Sequence, residues 1–271
     1  MQAAKLPFSA GLQWVQAAFS LFKKQPMALL AITFIINFIS QILIILPLIG
    51  LPLFIVSIPI SSLVMVSACR SIDGNNKVIP AEWILPLKKP GVIQRLAIIG
   101  FLYASIFVLI TFISFYPTMN ALSHEDMQKI SRLLSDPEYK LTLNDIPSFS
   151  ISIFQYALWA ILTFLTAITF WHVPQLIGWE NMSVKKALFY SLVASWRNKL
   201  AFIVYFSIWG ILFYASQFLL TDLMMLMGLP LMLVAFVAQI LVMIIAVSMY
   251  CGFYSSYVAI FGKPDIRTIK P

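Results

Sequence analysis

Between Met27 and Cys69 the chain carries no Asp, Glu, Lys, Arg or His. About 20 apolar residues cross about 30 Å of hydrocarbon, so this run is too long for one crossing and suits two. Pro47, Gly50 and Pro52 supply the break, because proline removes a backbone donor and clashes with the preceding turn. The pattern predicts a tight helical hairpin, Met27–Leu46 and Leu53–Cys69. A basic segment follows, from Arg70 to Gly91, with the turn signal Asp73-Gly74-Asn75. A third crossing is predicted over Val92–Tyr116. The one long polar stretch is Pro117–Ser150, with His124, Glu125, Asp126, Asp136, Glu138 and Asp145. Within it Ser123–Leu134 reads as a short helix, Ser123 capping its start with Asp126 three residues on. The fourth crossing is Ile151–Ile177, kinked near Pro174, and the fifth is Leu200–Leu220. After a turn at Thr221–Pro230 the sixth runs from Leu231 to about Tyr254, and the tail carries Lys263, Arg267 and Lys270.

The predicted class is therefore an all-α polytopic membrane protein, six transmembrane helices in three hairpins. Residues 1–271 read as a single membrane domain. Its parts are a cytoplasmic interfacial segment (1–26), helices one to three (27–116), a periplasmic loop (117–150), helices four to six (151–261) and a tail (262–271). Composition agrees: 61% of the 271 residues are hydrophobic and 10% charged, where soluble domains carry about 45–50% and about 25%.

The net charge of +8 would suit nucleic acid, but the placement of the charges gives a different reading. Fifteen of the 18 Lys and Arg fall on one side: the N-terminus, Arg70–Arg95, Gly178–Lys199 and the C-terminus. Lys129, Arg132 and Lys140 fall on the other, with six of the ten acidic residues. Because cytoplasmic loops are enriched in Lys and Arg, both termini are expected in the cytoplasm. Topology accounts for the basic excess, and no nucleic-acid partner is expected. Cys69 and Cys251, at the ends of apolar runs near that face, form no metal pair or disulfide framework and read as packing residues. No cleavable signal peptide is evident in residues 1–26.

Two segments have the pattern of amphipathic helices lying on the cytoplasmic surface. In Ser9–Gln25 the stripe is Leu12, Val15, Phe19 and Phe22; in Ser183–Lys199 it is Leu188, Leu192, Ser195 and Trp196. Each opens on a serine that can cap it and ends in a basic cluster. They align without a gap, Ser9 on Ser183, Phe22 on Trp196 and Lys23 on Arg197, and a shorter echo runs from Trp83 to Lys88-Lys89-Pro90. Three units follow, each a basic interfacial segment and a hairpin, as in many transporters. The same pattern also arises wherever a helix enters lipid from the cytoplasm, since aromatic and basic anchors are enriched there. The expected interface anchors are Trp14, Lys23, Lys24, Lys88, Lys89, Trp196, Arg197 and Lys199.

Chemistry is sparse. No Asp, Glu, Lys or Arg occupies the middle of a predicted crossing, which argues against proton coupling, voltage sensing or intramembrane proteolysis. His172, close to Pro174, is the titratable side chain within a crossing, and Glu180 lies a few residues beyond; together they make a candidate polar site. Asn37 and Gln41, four apart on one helix face, are expected to face the bundle interior, bonding between helices or lining a ligand path, as are Gln155, Gln217 and Gln239. Met224, Met225 and Met227 could hold Cu(I) but read better as packing. No phosphate loop, zinc helix or nucleophile elbow occurs, so no catalytic residue, cofactor or metal is expected.

Gly11-Leu12-Gln13-Trp14, then Leu21-Phe22-Lys23-Lys24-Gln25-Pro26, leads into Pro47-Leu48-Ile49-Gly50, and Ala187, Ser191, Trp196 and Asn198 precede the fifth crossing. This arrangement resembles an uncharacterised family of six-helix bacterial inner-membrane proteins. More distantly it is similar to YciC-like proteins and to the membrane domain that accompanies some glycerophosphodiester phosphodiesterases. The resemblance implies the bacterial inner membrane and six helices, and it implies no catalytic residue.

Two functions fit. The first is binding or transport of a lipid or other amphiphile, suggested by Pro52, Pro59 and Pro174 and by uncharged crossings. The second is a non-catalytic accessory or scaffold subunit. Expected partners are membrane lipids and either another protein or a second copy of the chain; an intramembrane enzyme, resting on His172 and Glu180, ranks last.

Overall fold

The computed structural model describes residues 3–75, 80–123, 127–128, 131 and 151–264. The predicted helix at 123–134, the acidic loop and Arg267 and Lys270 lie wholly or mostly outside these residues. Among the described residues the fold is all helical, and six helices are long and apolar enough to cross a membrane. The chain is an all-α polytopic membrane protein.

The helices are α1 (Ala10–Lys24), α2 (Pro26–Ile45), α3 (Gly50–Asp73), the short α4 (Pro80–Trp83), α5 (Val92–Asn120), α6 (Ile153–Phe170), the short α7 (Val173–Gly178), α8 (Val184–Arg197), α9 (Lys199–Leu226) and α10 (Leu231–Phe261). A 3₁₀ turn, Leu85–Lys88, lies between α4 and α5. The first hairpin breaks at the expected prolines and glycine, with Pro26 opening α2 and Gly50 opening α3. Several crossings run beyond their predicted ends: α3 to Asp73, α5 to Asn120, α9 to Leu226 and α10 to Phe261. Once a helix leaves the hydrocarbon, polar residues continue it at no cost to its backbone ladder, so a hydropathy limit falls short of the helix end. The expected kink near Pro174 is a full interruption at Trp171-His172, and Pro174 sits in the first turn of α7, where its missing N–H is not needed.

By their internal contacts the described residues group into two compact units, one within residues 1–102 and 168–271 and one within 103–167. The second unit is the middle hairpin, closed on itself by side chains that hydropathy does not register. Trp159 Nε1 donates to Thr111 Oγ1 at 3.1 Å. The Gln155 amide and the Thr118 hydroxyl bond each other at 3.0 Å. Phe115 packs edge-on against Tyr156.

In the first unit α1 packs on α9 and α10, while α10 packs on α9 and α3. Gly11 makes the α1–α9 approach possible: a methyl group there would collide with the Ala201 carbonyl oxygen. The face that α1 buries is Gly11, Trp14, Val15, Ala18 and Leu21. The predicted stripe is rotated from it, for Leu12 is exposed and Phe19 and Phe22 are half-buried. Small residues decide this, because interhelical contact inside a membrane favours close backbones over bulky apolar groups. Helix α8 obeys the same rule, burying Ala187, Ser191, Ala194 and Ser195 and turning Phe189, Leu192 and Trp196 outward. Ser9 and Ser183 stand at the N-cap positions as expected, but neither side chain makes a capping hydrogen bond.

The order of a short helix followed by two long ones recurs at α1–α3 and α8–α10, and in abbreviated form from α4 to α6. The structure shifts the predicted alignment of α1 with α8 by one residue. Lys24 and Arg197 end the two helices, Gln25 and Asn198 are their C-caps, and Pro26 and Lys199 open the next. In that register buried Trp14, Ala18 and Leu21 fall on buried Ala187, Ser191 and Ala194. The ungapped pairing of Phe22 with Trp196 turns one helix about 100° against the other, setting buried positions on exposed ones.

Candidate functional site

At the basic end of the first unit the chain ends and short helices are tied together by polar side chains. Asn198, the C-cap of α8, accepts from the Leu6 amide at 2.8 Å and donates to the Ala4 carbonyl at 2.9 Å. The Ala4 amide in turn donates to the Ile260 carbonyl on α10. The N-terminal segment is thereby clipped between α8 and α10. Trp179, wholly buried, donates from Nε1 to Ser67 Oγ on α3 and meets the ring of Tyr257 edge-on. Trp171 donates to Ser256 Oγ.

Lys89 Nζ donates to the carbonyls of Gly178 and Trp179 at 3.1 and 3.0 Å, satisfying the open end of α7. Burial holds its ammonium below the usual lysine range, and the nearby Glu180 carboxylate partly offsets this. Arg95 binds the carbonyls of Asn181 and Met182, fixing the turn after α7.

The predicted site residues separate into two groups. His172 and Glu180 are brought together through Tyr257, whose hydroxyl donates to Glu180 Oε1 at 3.0 Å and whose ring lies 5.9 Å from the imidazole. His172 is wholly buried beside Phe202, Tyr257 and Phe261, and among the described residues neither ring nitrogen has a hydrogen-bond partner. The imidazole is thus enclosed by aromatic rings and reaches Glu180 only by way of the Tyr257 ring and hydroxyl. Among the described residues no group of three His, Cys, Asp or Glu could hold a metal.

Asn37 and Gln41 are far from this cluster in the chain and exposed on α2, with the Asn37 amide donating back to the Thr33 carbonyl. The expected inward orientation is not observed, because the face of α2 that packs carries Leu29, Ile32 and Thr33. Gln239 is likewise exposed, whereas Gln155 is buried and Gln217 half-buried.

Of the predicted anchors, Lys23, Lys24, Lys88, Trp196, Arg197 and Lys199 are exposed, and Lys199 lies over the Trp196 ring at 4.2 Å. Trp14 and Lys89 are instead buried. Trp14 fills the space between α1 and α9, edge-on to Phe202 and Tyr205, and Lys89 serves as the cap described above.

Beside this end lies an open groove of about 340 Å³ between the N-terminal segment, α1, α3 and α10. Leu6, Pro7, Ala10, Trp14, Val258 and Ala259 give it apolar walls, and Gln13, Asp73, Tyr254 and Lys263 give it a polar rim. Asp73 Oδ2 accepts from Tyr254 Oη at 2.9 Å and from Lys263 Nζ at 2.7 Å. Two other grooves, one on the α9–α10 surface and one in the middle hairpin, lack charged residues altogether. Sequence reasoning passes over this groove, since Asp73 reads as part of a turn and Lys263 as part of a tail. The signal available is that both lie one turn beyond an apolar run, on the side where the basic residues collect.

The chain is 28% identical over 271 residues to a protein of Burkholderia thailandensis named as a probable inner membrane protein, the match covering 98% of this chain and 96% of that one. No family model matches the chain. No solved structure matches it.

Proposed function

We propose that the protein is a non-catalytic, multi-pass protein of the bacterial inner membrane that binds or transports a lipid or other amphiphile. Both termini and the basic end lie in the cytoplasm. The end-to-end likeness to a probable inner membrane protein supports the location. The one-sided distribution of Lys and Arg supports the orientation. The proposal extends to the YciC-like membrane proteins as distant relatives.

The groove beside α1 carries the functional reading. Apolar walls closed on one side by Asp73, Tyr254 and Lys263 match a molecule with an acyl body and a polar head. A neutral passage for ions would need polar groups further along the crossings, and the grooves on the α9–α10 surface and in the middle hairpin carry no charged residue. The test is extraction in lipid-preserving polymer particles followed by mass spectrometry of the lipids carried along. One lipid class should be enriched over bulk membrane in the wild type and lost in Ala17→Trp, which fills the groove from an exposed position of α1. A lipid profile equal to bulk membrane in both proteins removes this reading. For orientation, a C-terminal reporter active only in the cytoplasm should be active; silence would invert the topology.

A second reading, an accessory or scaffold subunit, is favoured by Asn37 and Gln41. Two amides on an outward face of a crossing gain about 1 kcal/mol each from a partner helix in lipid. A stoichiometric protein released by Asn37→Leu with Gln41→Leu, without an enriched lipid, would select that reading.

A further inference from the structure

Cys69 on α3 and Cys251 on α10 are the only cysteines in the chain, and the function proposed above uses neither. They are separated by 182 residues, yet their sulfurs stand 3.3 Å apart and both are wholly buried. The helices that carry them hold corresponding places, the third helix of the first copy and the third of the last. Packing alone explains a small apolar side chain at each position. It gives no reason for both to be sulfur and to face each other. A disulfide needs sulfurs at about 2.05 Å, so closure asks for a little over 1 Å, which side-chain rotation and a small helix shift can supply.

We infer that Cys69 and Cys251 are a modification site: a peroxide converts them to a disulfide that ties α3 to α10. One sulfur attacks a peroxide oxygen, the O–O bond breaks, and a sulfenic acid and one water result. The second sulfur then attacks the sulfenic sulfur, the S–O bond breaks, the S–S bond forms, and a second water leaves. Two thiols are oxidised and one hydrogen peroxide is reduced to two waters, with no residue left over-oxidised because the resolving thiol is already in contact. Burial sets the choice of oxidant. It restricts the oxidant to a small neutral molecule, because a glutathione-sized disulfide cannot approach sulfurs that have no exposed surface. The bond joins the two outer copies beside the Trp179–Ser67 contact on α3, so it bears directly on how rigid the basic end is.

The experiment uses the full-length protein in native membrane vesicles, exposed to hydrogen peroxide, quenched, denatured and alkylated with N-ethylmaleimide. Intact mass should show both adducts lost together, in a monomer, with recovery of both after reduction. A peptide joining Cys69 to Cys251 should be found by fragmentation. Protein unfolded in dodecyl sulfate before oxidation should give a lower share of the Cys69–Cys251 peptide and more intermolecular and over-oxidised product, because the fold no longer holds the thiols together. Cys69→Ser and Cys251→Ser should each retain their single adduct or pass to higher oxides. The inference is overturned if both thiols in the folded protein stay alkylatable, if oxidation of the folded protein gives intermolecular dimers or sulfonic acids, or if the unfolded protein forms the Cys69–Cys251 bond in the same share as the folded one.

Discussion

The two ends of the first unit are built on different terms. At the basic end, Trp14, Trp179, Tyr257 and His172 are buried among short helices held by Asn198, Lys89 and Arg95. At the far turns, Ile45, Leu48 and Leu51 between α2 and α3, and Leu226, Leu231 and Met232 between α9 and α10, are exposed, Leu48 at 98%. Both ends carry large apolar side chains, so the hydrophobicity of those side chains does not separate them. Lipid tails solvate leucine as well as another leucine does, and helices in a membrane associate through close packing and hydrogen bonds. Those two terms collect at the basic end, where small residues let backbones approach and polar side chains close the gaps. The far turns leave their apolar side chains to lipid, and their share of the folding free energy should be small.

Substitutions at the basic end should therefore dominate stability. Trp179→Ala removes a wholly buried ring together with its bond to Ser67, and should cost about 3–5 kcal/mol. In thermal unfolding of the detergent-solubilised protein this appears as the largest drop in midpoint among the variants named here. A midpoint within a degree or two of wild type would place the stability elsewhere. Gly11→Val comes next. The neighbour that its added carbons meet is the Ala201 backbone oxygen, which cannot rotate away, so α1 must lift from α9 at about 3 kcal/mol. Limited proteolysis should then cut after Lys23 or Lys24 faster than in wild type; unchanged cleavage would show that α1 stays docked.

Lys89→Met keeps the apolar stem and deletes the ammonium, leaving the Gly178 and Trp179 carbonyls without their donor. Buried acceptors stripped of a partner cost about 1–3 kcal/mol. Lys88→Met, one residue away and exposed, should be nearly silent. Equal midpoints for the two variants would mean that Lys89 is an interfacial anchor after all, as the sequence pattern suggests.

That last contrast shows what the sequence does and does not disclose. Six crossings, the hairpin break at Pro47–Pro52 and a distortion near Pro174 are legible because each depends on local composition or on the missing N–H of proline. Lys88 and Lys89 are indistinguishable by composition, and which of them turns inward depends on where the end of α7 arrives, 89 residues later in the chain. The face of α1 is misread for a related reason. Hydropathy rewards Leu12 and Phe22, while the packing surface is chosen by Gly11 and Ala18, whose merit is their size. Asn37 and Gln41 read as inward because amides avoid lipid, yet the packed side of α2 is set by Leu29, Ile32 and Thr33. The Asp73–Lys263 rim joins residues 190 positions apart, beyond any local pattern.

The far turns permit the most discriminating test, because there a substitution should act with the opposite sign. Leu48 has φ of +65°, a left-handed conformation, and the Ile49 amide donates to the Pro47 carbonyl across it, closing a three-residue turn. A side chain with a Cβ costs about 1–2 kcal/mol in that region, and Leu48 buries nothing to offset it. Glycine removes that cost but gains freedom in the unfolded chain worth up to about 1 kcal/mol. The balance for Leu48→Gly is a stabilisation of about 0.5 kcal/mol, seen as a slightly raised unfolding midpoint. If the far turns contributed to the fold as the basic end does, deleting an entire leucine side chain would lower the midpoint. A lowered midpoint would thus overturn the division of labour between the two ends, and a raised one would confine the work of the leucine side chain at this turn to contact with lipid.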